Sequence, residues 1–343
     1  MKKLIPIVFA ISLSIGAMAQ QGFTIAENKA AKEVNILFNG KLLTAYCYYD
    51  SSMKPILFPV NTVDGITVTR QYPIHKVPGE RTDHPHHTGI WLNYESVNGL
   101  DFWNNSTAIA PEKRNLYGTI RHQKIIGKKA NGNTASLVTT ATWIRPDKKI
   151  LLNETTTFNF TVKGNDFTID RITTLKATDT TVFFKDTKDG MLGMRVAREL
   201  ELPAKDKTSF IDDKGNVTTV APSGADVTGM YYSSEGLKGD SVWSTKGRWA
   251  MLTGIKQQKN ITIGIIDHPL NVGYPTYWHA RGYGLFAANP LGRKIFSNGK
   301  EELNFSLQPG QSTTFRYRII IHSGDYLTSE EMNKQADAFA KVK

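Results

Sequence analysis

Residues 150–162 read ILLNETTTFNFTV. Ile150, Leu152, Phe158, Phe160 and Val162 fall on one side of a two-residue period, and Asn153, Thr155, Thr157, Asn159 and Thr161 on the other. That alternation predicts a half-buried β-strand. Gly164-Asn165 supplies a turn, and Phe167, Ile169, Thr173 and Leu175 resume the alternation, so the segment reads as a long antiparallel hairpin. Working outward, further strands are predicted over 34–38, 42–49, 118–126, 135–144, 181–184, 249–254, 261–266 and 314–321. One helix is signalled, at the C-terminus: Thr328 caps it, Glu331 completes a capping box, Leu327 and Met332 form a hydrophobic staple, and Met332, Ala336 and Phe339 share a face. Many strands beside one terminal helix predict a mostly β fold, a large antiparallel β-sandwich. No repeat at solenoid or propeller spacing is visible.

The N-terminus reads as a secretory signal over residues 1–19: Lys2-Lys3, an apolar run from Leu4 to Ile15, then Ala17-Met18-Ala19 before a cut at Gln20. Residues 20–343 are then expected to form one β-sandwich domain, since no Pro/Ser/Gly-rich linker divides them. Gln20 stands where a lipoprotein would need cysteine. No segment supplies the roughly 20 apolar residues of a spanning helix, so no membrane span is expected. The destination is periplasmic or extracellular. The single cysteine, Cys47, leaves the core to hold the fold without an internal disulfide. A formal charge of +11 comes from dispersed Lys and Arg with no nucleic-acid motif among them, so no nucleic-acid partner is expected; acidic glycans are compatible company. The sequence leaves the oligomeric state open.

Two segments carry the chemistry. The first is Arg81-Thr82-Asp83-His84-Pro85-His86-His87-Thr88-Gly89-Ile90-Trp91. Imidazoles packed beside Asp83 and Arg81 suit proton transfer, metal binding or the gripping of a polyhydroxylated ligand. The second runs from Asp267-His268-Pro269-Leu270-Asn271 through Tyr277-Trp278-His279-Ala280-Arg281-Gly282-Tyr283. There, aromatic faces suited to the C–H faces of sugar rings stand among groups that engage hydroxyls. Parity places Glu154 on the apolar face of its strand, and a buried carboxylate needs a task or a cationic partner. Arg195, inside a predicted strand, is read as pointing inward. No H-E-x-x-H, G-x-S-x-G, G-x-G-x-x-G or cysteine-based metal signature occurs, and no cofactor is called for. Pro85 interrupts the His84-x-His86 pair, so no metal ligands are assigned.

The segment from His84 to Trp91, together with Asp101-Phe102-Trp103, Asp267-His268-Pro269, 275–281 and Phe286-Ala287-Ala288-Asn289-Pro290, resembles an uncharacterised bacterial family often labelled "methane oxygenase PmoA". The resemblance runs over most of the mature chain. A membrane methane monooxygenase subunit requires several spanning helices, which this sequence lacks, so the label is not adopted as an activity. The family is similar to the galactose-mutarotase-like β-supersandwich group, which implies a sugar-facing concave sheet and chemistry shared between a carboxylate base and a histidine acid. The leading expectation is an exported carbohydrate-active protein working on a glycan or sugar derivative by hydrolysis, elimination or epimerisation. His86, His87, His268, His279 and Glu154 are the catalytic candidates. Arg81, His84, Trp91, Trp103, Arg195, Asn271, Trp278, Arg281 and Tyr283 are the substrate-binding candidates, with Trp91, Trp103 and Trp278 offering stacking faces. A non-catalytic sugar-binding protein is the alternative from another class, and a metal-dependent oxidoreductase is a third.

Overall fold

The computed structural model describes residues 21–203, 207–220 and 226–343; the expected signal segment lies outside them. Two eight-stranded antiparallel sheets dominate. The first runs, in spatial order, Phe23–Asn28, Glu33–Phe38, Lys41–Cys47, Ile56–Val60, Ile90–Tyr94, Gly190–Arg195, Leu285–Asn289 and Tyr277–Arg281. The second runs Met230–Ser233, Trp249–Lys256, Lys259–Asp267, Ser312–Ser323, Asp166–Ala177, Ile150–Lys163, Thr134–Ile144 and Thr119–Asn131. Their inner faces meet in one hydrophobic core that joins Ile36, Leu92 and Phe286 of the first sheet to Phe158, Ile169 and Ile263 of the second. Tyr46 and Phe158 meet across it with ring centroids 5.8 Å apart.

The hairpin read from the sequence is present, pairing from Leu152 opposite Ala177 to Lys163 opposite Asp166. Leu152, Phe158, Phe160 and Val162 are buried, whereas Ile150 is exposed, beside a register shift at the strand's start. The C-terminal helix, Ser329–Phe339, has the capping box: Glu331 N donates to Thr328 Oγ1 at 3.2 Å, and Thr328 N donates to Glu331 Oε2 at 2.8 Å. Met332, Ala336 and Phe339 bury against Trp249, Met251, Ile266 and Ile320 on the outer face of the second sheet. Among the described residues, no helix is long and apolar enough to cross a membrane.

Glu154 points inward as its parity requires, but into the core of the sandwich. Arg171 NH2 lies 3.3 Å from Glu154 Oε1, Trp143 Nε1 donates to Oε2 at 2.8 Å, and Thr156 Oγ1 donates to Oε1 at 2.7 Å. A buried ion pair supplied with these further hydrogen bonds is a structural element.

The histidine segment, the candidate site, lies on the outer face of the first sheet. Its floor is a row across four strands, with Trp91 opposite Gly193, Gly193 opposite Ala287, and Ala287 opposite His279. Three strand spacings separate Trp91 and His279 by about 14 Å. Gly193 is small for a steric reason. A Cβ on Gly193 would lie 2.5 Å from Trp91 and 2.8 Å from Trp103, so the indoles lie directly over bare backbone.

Two outcomes follow. Glu154→Ala leaves the Arg171 charge buried without its counter-ion, and chemical denaturation should show a loss of about 3–5 kcal/mol; a loss under about 1 kcal/mol contradicts the structural role. At the far end of the second sheet, His322 Nδ1 lies 2.6 Å from Asp166 Oδ1, and that hydrogen bond raises the imidazole above its ordinary 6.5. Imidazolium therefore stabilises the fold fully below pH 6.5, and the contribution fades as pH rises through the raised value. His322→Gln should flatten this part of the pH profile, measured as urea midpoints at about pH 5.5 and about pH 8.5.

Candidate functional site

Arg70 organises the histidine segment. Its buried guanidinium donates through NH1 to Asp83 Oδ1 at 2.8 Å and Asp83 O at 2.7 Å, and through NH2 to His84 O at 2.8 Å and His87 O at 2.9 Å. One planar group thus fixes the loop's path. Arg195 reaches the same carboxylate from the neighbouring strand, NH2 to Asp83 Oδ1 at 2.7 Å, with NH1 3.4 Å from His87 Nδ1. Behind them Arg81 Nε donates to Glu201 Oε2 at 2.6 Å, and Arg195 NH2 stands 3.8 Å from Glu201 Oε1. Three guanidiniums therefore share two carboxylates.

Those carboxylates shift in opposite directions. Burial pushes Glu201 up to about 7 against the pull of Arg195 and Arg81. For Asp83 burial also opposes ionisation, yet the His84 hydrogen bond and the charges of Arg195 and Arg70 outweigh it and hold the carboxyl well below its usual range.

Above this charge cluster, rings stack. His84 lies parallel to Tyr283 at 5.0 Å and to His87 at 4.8 Å, and His87 continues onto Trp91 at 5.3 Å. His86 meets His87 edge-on at 4.3 Å. The histidines differ in access. His87 is 2% exposed, and burial lowers its basicity well below the ordinary 6.5; burial also takes His86 down to about 2. The His84 side chain is 41% exposed at the rim, with Nδ1 3.1 Å from Asp83 Oδ2. Its backbone is left-handed, φ 44°, a conformation that costs a non-glycine residue energy and that the Arg70 contacts hold in place.

The second segment reaches this face through Tyr277–Arg281 and the turn after it. Alternation puts His279 and Arg281 on one side, and Tyr283 closes over Arg195, whose guanidinium carbon lies 4.9 Å from the ring centroid. His279 Nδ1 sits 3.3 Å from Asp189 Oδ1; burial lowers the imidazole to about 3 and raises Asp189 to about 6. On the other flank of the histidine loop, a cavity of about 150 Å³ is lined by Tyr49, Lys54, Ile74, His86, Thr88 and Asn105, among others. Several buried polar atoms on this face have no hydrogen-bond partner: His86 Nε2, His87 Nε2, Trp91 Nε1, Arg70 Nε, Arg195 Nε and Glu201 Oε1. Among the described residues, no three His, Cys, Asp or Glu side chains are grouped to hold a metal ion.

The structure thus brings together Arg81, His84, His86, His87, Trp91, Trp103, Arg195, His279, Arg281 and Tyr283, and sets four candidates apart. Glu154 lies in the core beneath the first sheet. Trp278 is also a core residue, 6.1 Å from Phe286, because alternation turns it away from His279. His268 is buried edge-on against Phe339 at the C-terminal helix, and Leu270 N donates to its Nδ1 at 3.1 Å. Asn271 spends its amide on Asp267 Oδ1 and Arg316 O, both at 2.7 Å, and accepts from Arg316 N. Trp91 and Trp103 belong to the site but offer no open stacking face, being 0% and 1% exposed beneath His87. Arg70, Lys54 and Glu201 complete the site and were not picked out from the sequence. Their contacts are long-range, Arg81 with Glu201 being 120 positions apart, and no local spacing marks them.

Comparison with solved structures finds likenesses at low identity. The GH36 α-galactosidase AgaB from Geobacillus stearothermophilus is 13% identical, over 88% of this chain and 41% of that one, with a TM-score of 0.41. The α-galactosidase from Lactobacillus brevis is 9% identical, over 92% and 41%, with a TM-score of 0.42. A galactose mutarotase related enzyme from Lactobacillus acidophilus is 10% identical, over 89% and 99%, with a TM-score of 0.30. The chain therefore spans about two fifths of the length of the α-galactosidases it matches. No curated protein matches it. None of these comparisons carries the methane oxygenase label. A family model does match, over residues 33–337, and the chain belongs to that family, DUF6807, a family of unknown function.

Proposed function

We propose that the chain is an exported carbohydrate-active protein whose site, on the outer face of the first sheet, takes a sugar or sugar derivative bearing an anionic group. In this reading His84 is the acid–base residue. The observation that carries it is the state of that side chain: an accessible imidazole in a strained backbone, with one ring nitrogen on a carboxylate that two buried arginines clamp. Asp83, held ionised, orients the ring and stabilises the imidazolium formed when His84 accepts a proton. Arg281 stands on the same face as a cation for the ligand's negative group, and Tyr283 supplies a flat wall beside it. The charged and apolar N-terminal segment ending at Ala19 supports export.

The deep burial of His87 and His279 favours a second reading, in which the face binds sugar without turnover.

A panel of neutral and uronate-bearing oligosaccharides, followed by calorimetry and by mass spectrometry after long incubation, separates the two. Turnover of an acidic glycan that falls about 10²–10⁴-fold in His84→Ala, with thermal unfolding unchanged, supports catalysis. Glycan that binds but returns intact supports the binding protein. Failure of the whole panel to bind overturns both. Arg281→Ala should weaken acidic glycans more than neutral ones, and added salt should narrow that difference.

A further inference from the structure

Lys54 is a buried amine with little to hold it charged. Its residue is 4% exposed; Nζ donates to His86 O at 2.7 Å and lies 5.2 Å from the centroid of the Trp91 ring. Among the described residues no carboxylate forms an ion pair with it, although the charge of Asp101 partly opposes its desolvation, and an ammonium with three donors has one hydrogen-bond acceptor. Such burial is rare for lysine unless it is paired. The side chain lines the cavity of about 150 Å³ beside the histidine loop, where His86 also stands with Nε2 unpartnered. The chain therefore sets an amine and a neutral imidazole side by side at the wall of one cavity. Desolvation brings the amine down to about 7, so a large share of it carries a free lone pair at neutral pH.

We propose that Lys54 is a nucleophile that forms an imine with a carbonyl carbon, so that the ligands of this face include open-chain aldoses, ketoses and other small carbonyl compounds. The cavity adjoins the sugar site proposed above across the histidine loop, and the expectation of a sugar carbonyl rests on that reading. The Nζ lone pair forms the new C–N bond. The carbonyl C–O bond then breaks, and the oxygen leaves as water with the two amine hydrogens, so no oxidant or reductant is needed. The Trp91 ring beside Nζ supplies an apolar surface on one side of the imine.

The test uses the full mature chain with D-glyceraldehyde as the carbonyl probe and cyanoborohydride to trap the imine as a secondary amine. Peptide mapping should place the first adduct on Lys54, formed about tenfold or more faster than on any surface lysine at neutral pH. Its rate should be half-maximal near pH 7, where ordinary lysines react only at much higher pH. Lys54→Met and Lys54→Arg should both lose this fast adduct; the arginine variant retains the positive charge and guards against a folding failure. Labelling spread evenly over the lysines, or a fast adduct that persists in Lys54→Met, overturns the proposal. Glycan binding by the parent protein is measured in parallel. If it is present while Lys54 stays unlabelled, the imine is overturned and the sugar reading stands; if it is absent, the sugar reading fails on its own result.

Discussion

The site depends on the Asp83 carboxylate being gripped by Arg70 and Arg195 at once. Arg70 comes from the segment after the Ile56–Val60 strand and Arg195 from the end of a central strand, so the grip ties the histidine loop to two separate parts of the first sheet. Arginine suits this work because its planar fork spans a carboxylate and several carbonyl oxygens without further loss of rotamer freedom. A lysine at position 70 would reach one of these acceptors and release the rest. With the loop so fixed, the ring order from Tyr283 through His84 and His87 to Trp91 follows from backbone geometry.

The two sheets were unequally legible. Strands of the second sheet, such as 150–162, are buried on one face and solvated on the other, so their side chains alternate and the period shows. Those that build the site are buried on both faces. Every residue of Ile90–Tyr94, Gly190–Arg195 and Leu285–Asn289 is buried, and such runs carry no two-residue period. The stretch around His279 therefore reads as an aromatic-rich polar segment, although it forms an edge strand of the first sheet. Recognising it as a strand would have separated His279 and Arg281 from Trp278 by parity alone.

Clustering in sequence draws the candidates together but does not separate those on the outer face of the first sheet from those in the cores; burial and side-chain contacts do. His268, Asn271 and Asp267 form a self-contained unit: Asp267 accepts from Asn271 and from Thr276 N, and Asn271 bridges to the backbone of Arg316. Asp267 and Asn271 have little capacity left for a ligand, and His268, whose Nε2 has no partner, is buried edge-on against Phe339. Glu154 is likewise supplied by Arg171, Trp143 and Thr156. Of the buried atoms without partners, His86 Nε2, His87 Nε2, Arg70 Nε, Arg195 Nε and Glu201 Oε1 lie around the histidine loop, a grouping that appears only once chain segments more than a hundred positions apart have met.

The opposite behaviour of Asp83 and Glu201 follows from the same arginines acting at different depths. The Asp83 side chain is 26% exposed and is held by the His84 hydrogen bond and by direct hydrogen bonds from two guanidiniums, so contact outweighs desolvation. The Glu201 side chain is 1% exposed, with Arg81 bonded to one oxygen and Arg195 3.8 Å from the other, and desolvation wins. Near neutral pH the cluster therefore holds one permanent anion and one adjustable carboxyl. As pH falls through about 7, Glu201 takes up a proton and ceases to compete for Arg195, whose NH2 already lies on Asp83. The Asp83 carboxylate that faces the His84 ring and anchors both guanidiniums stays charged while Glu201 titrates.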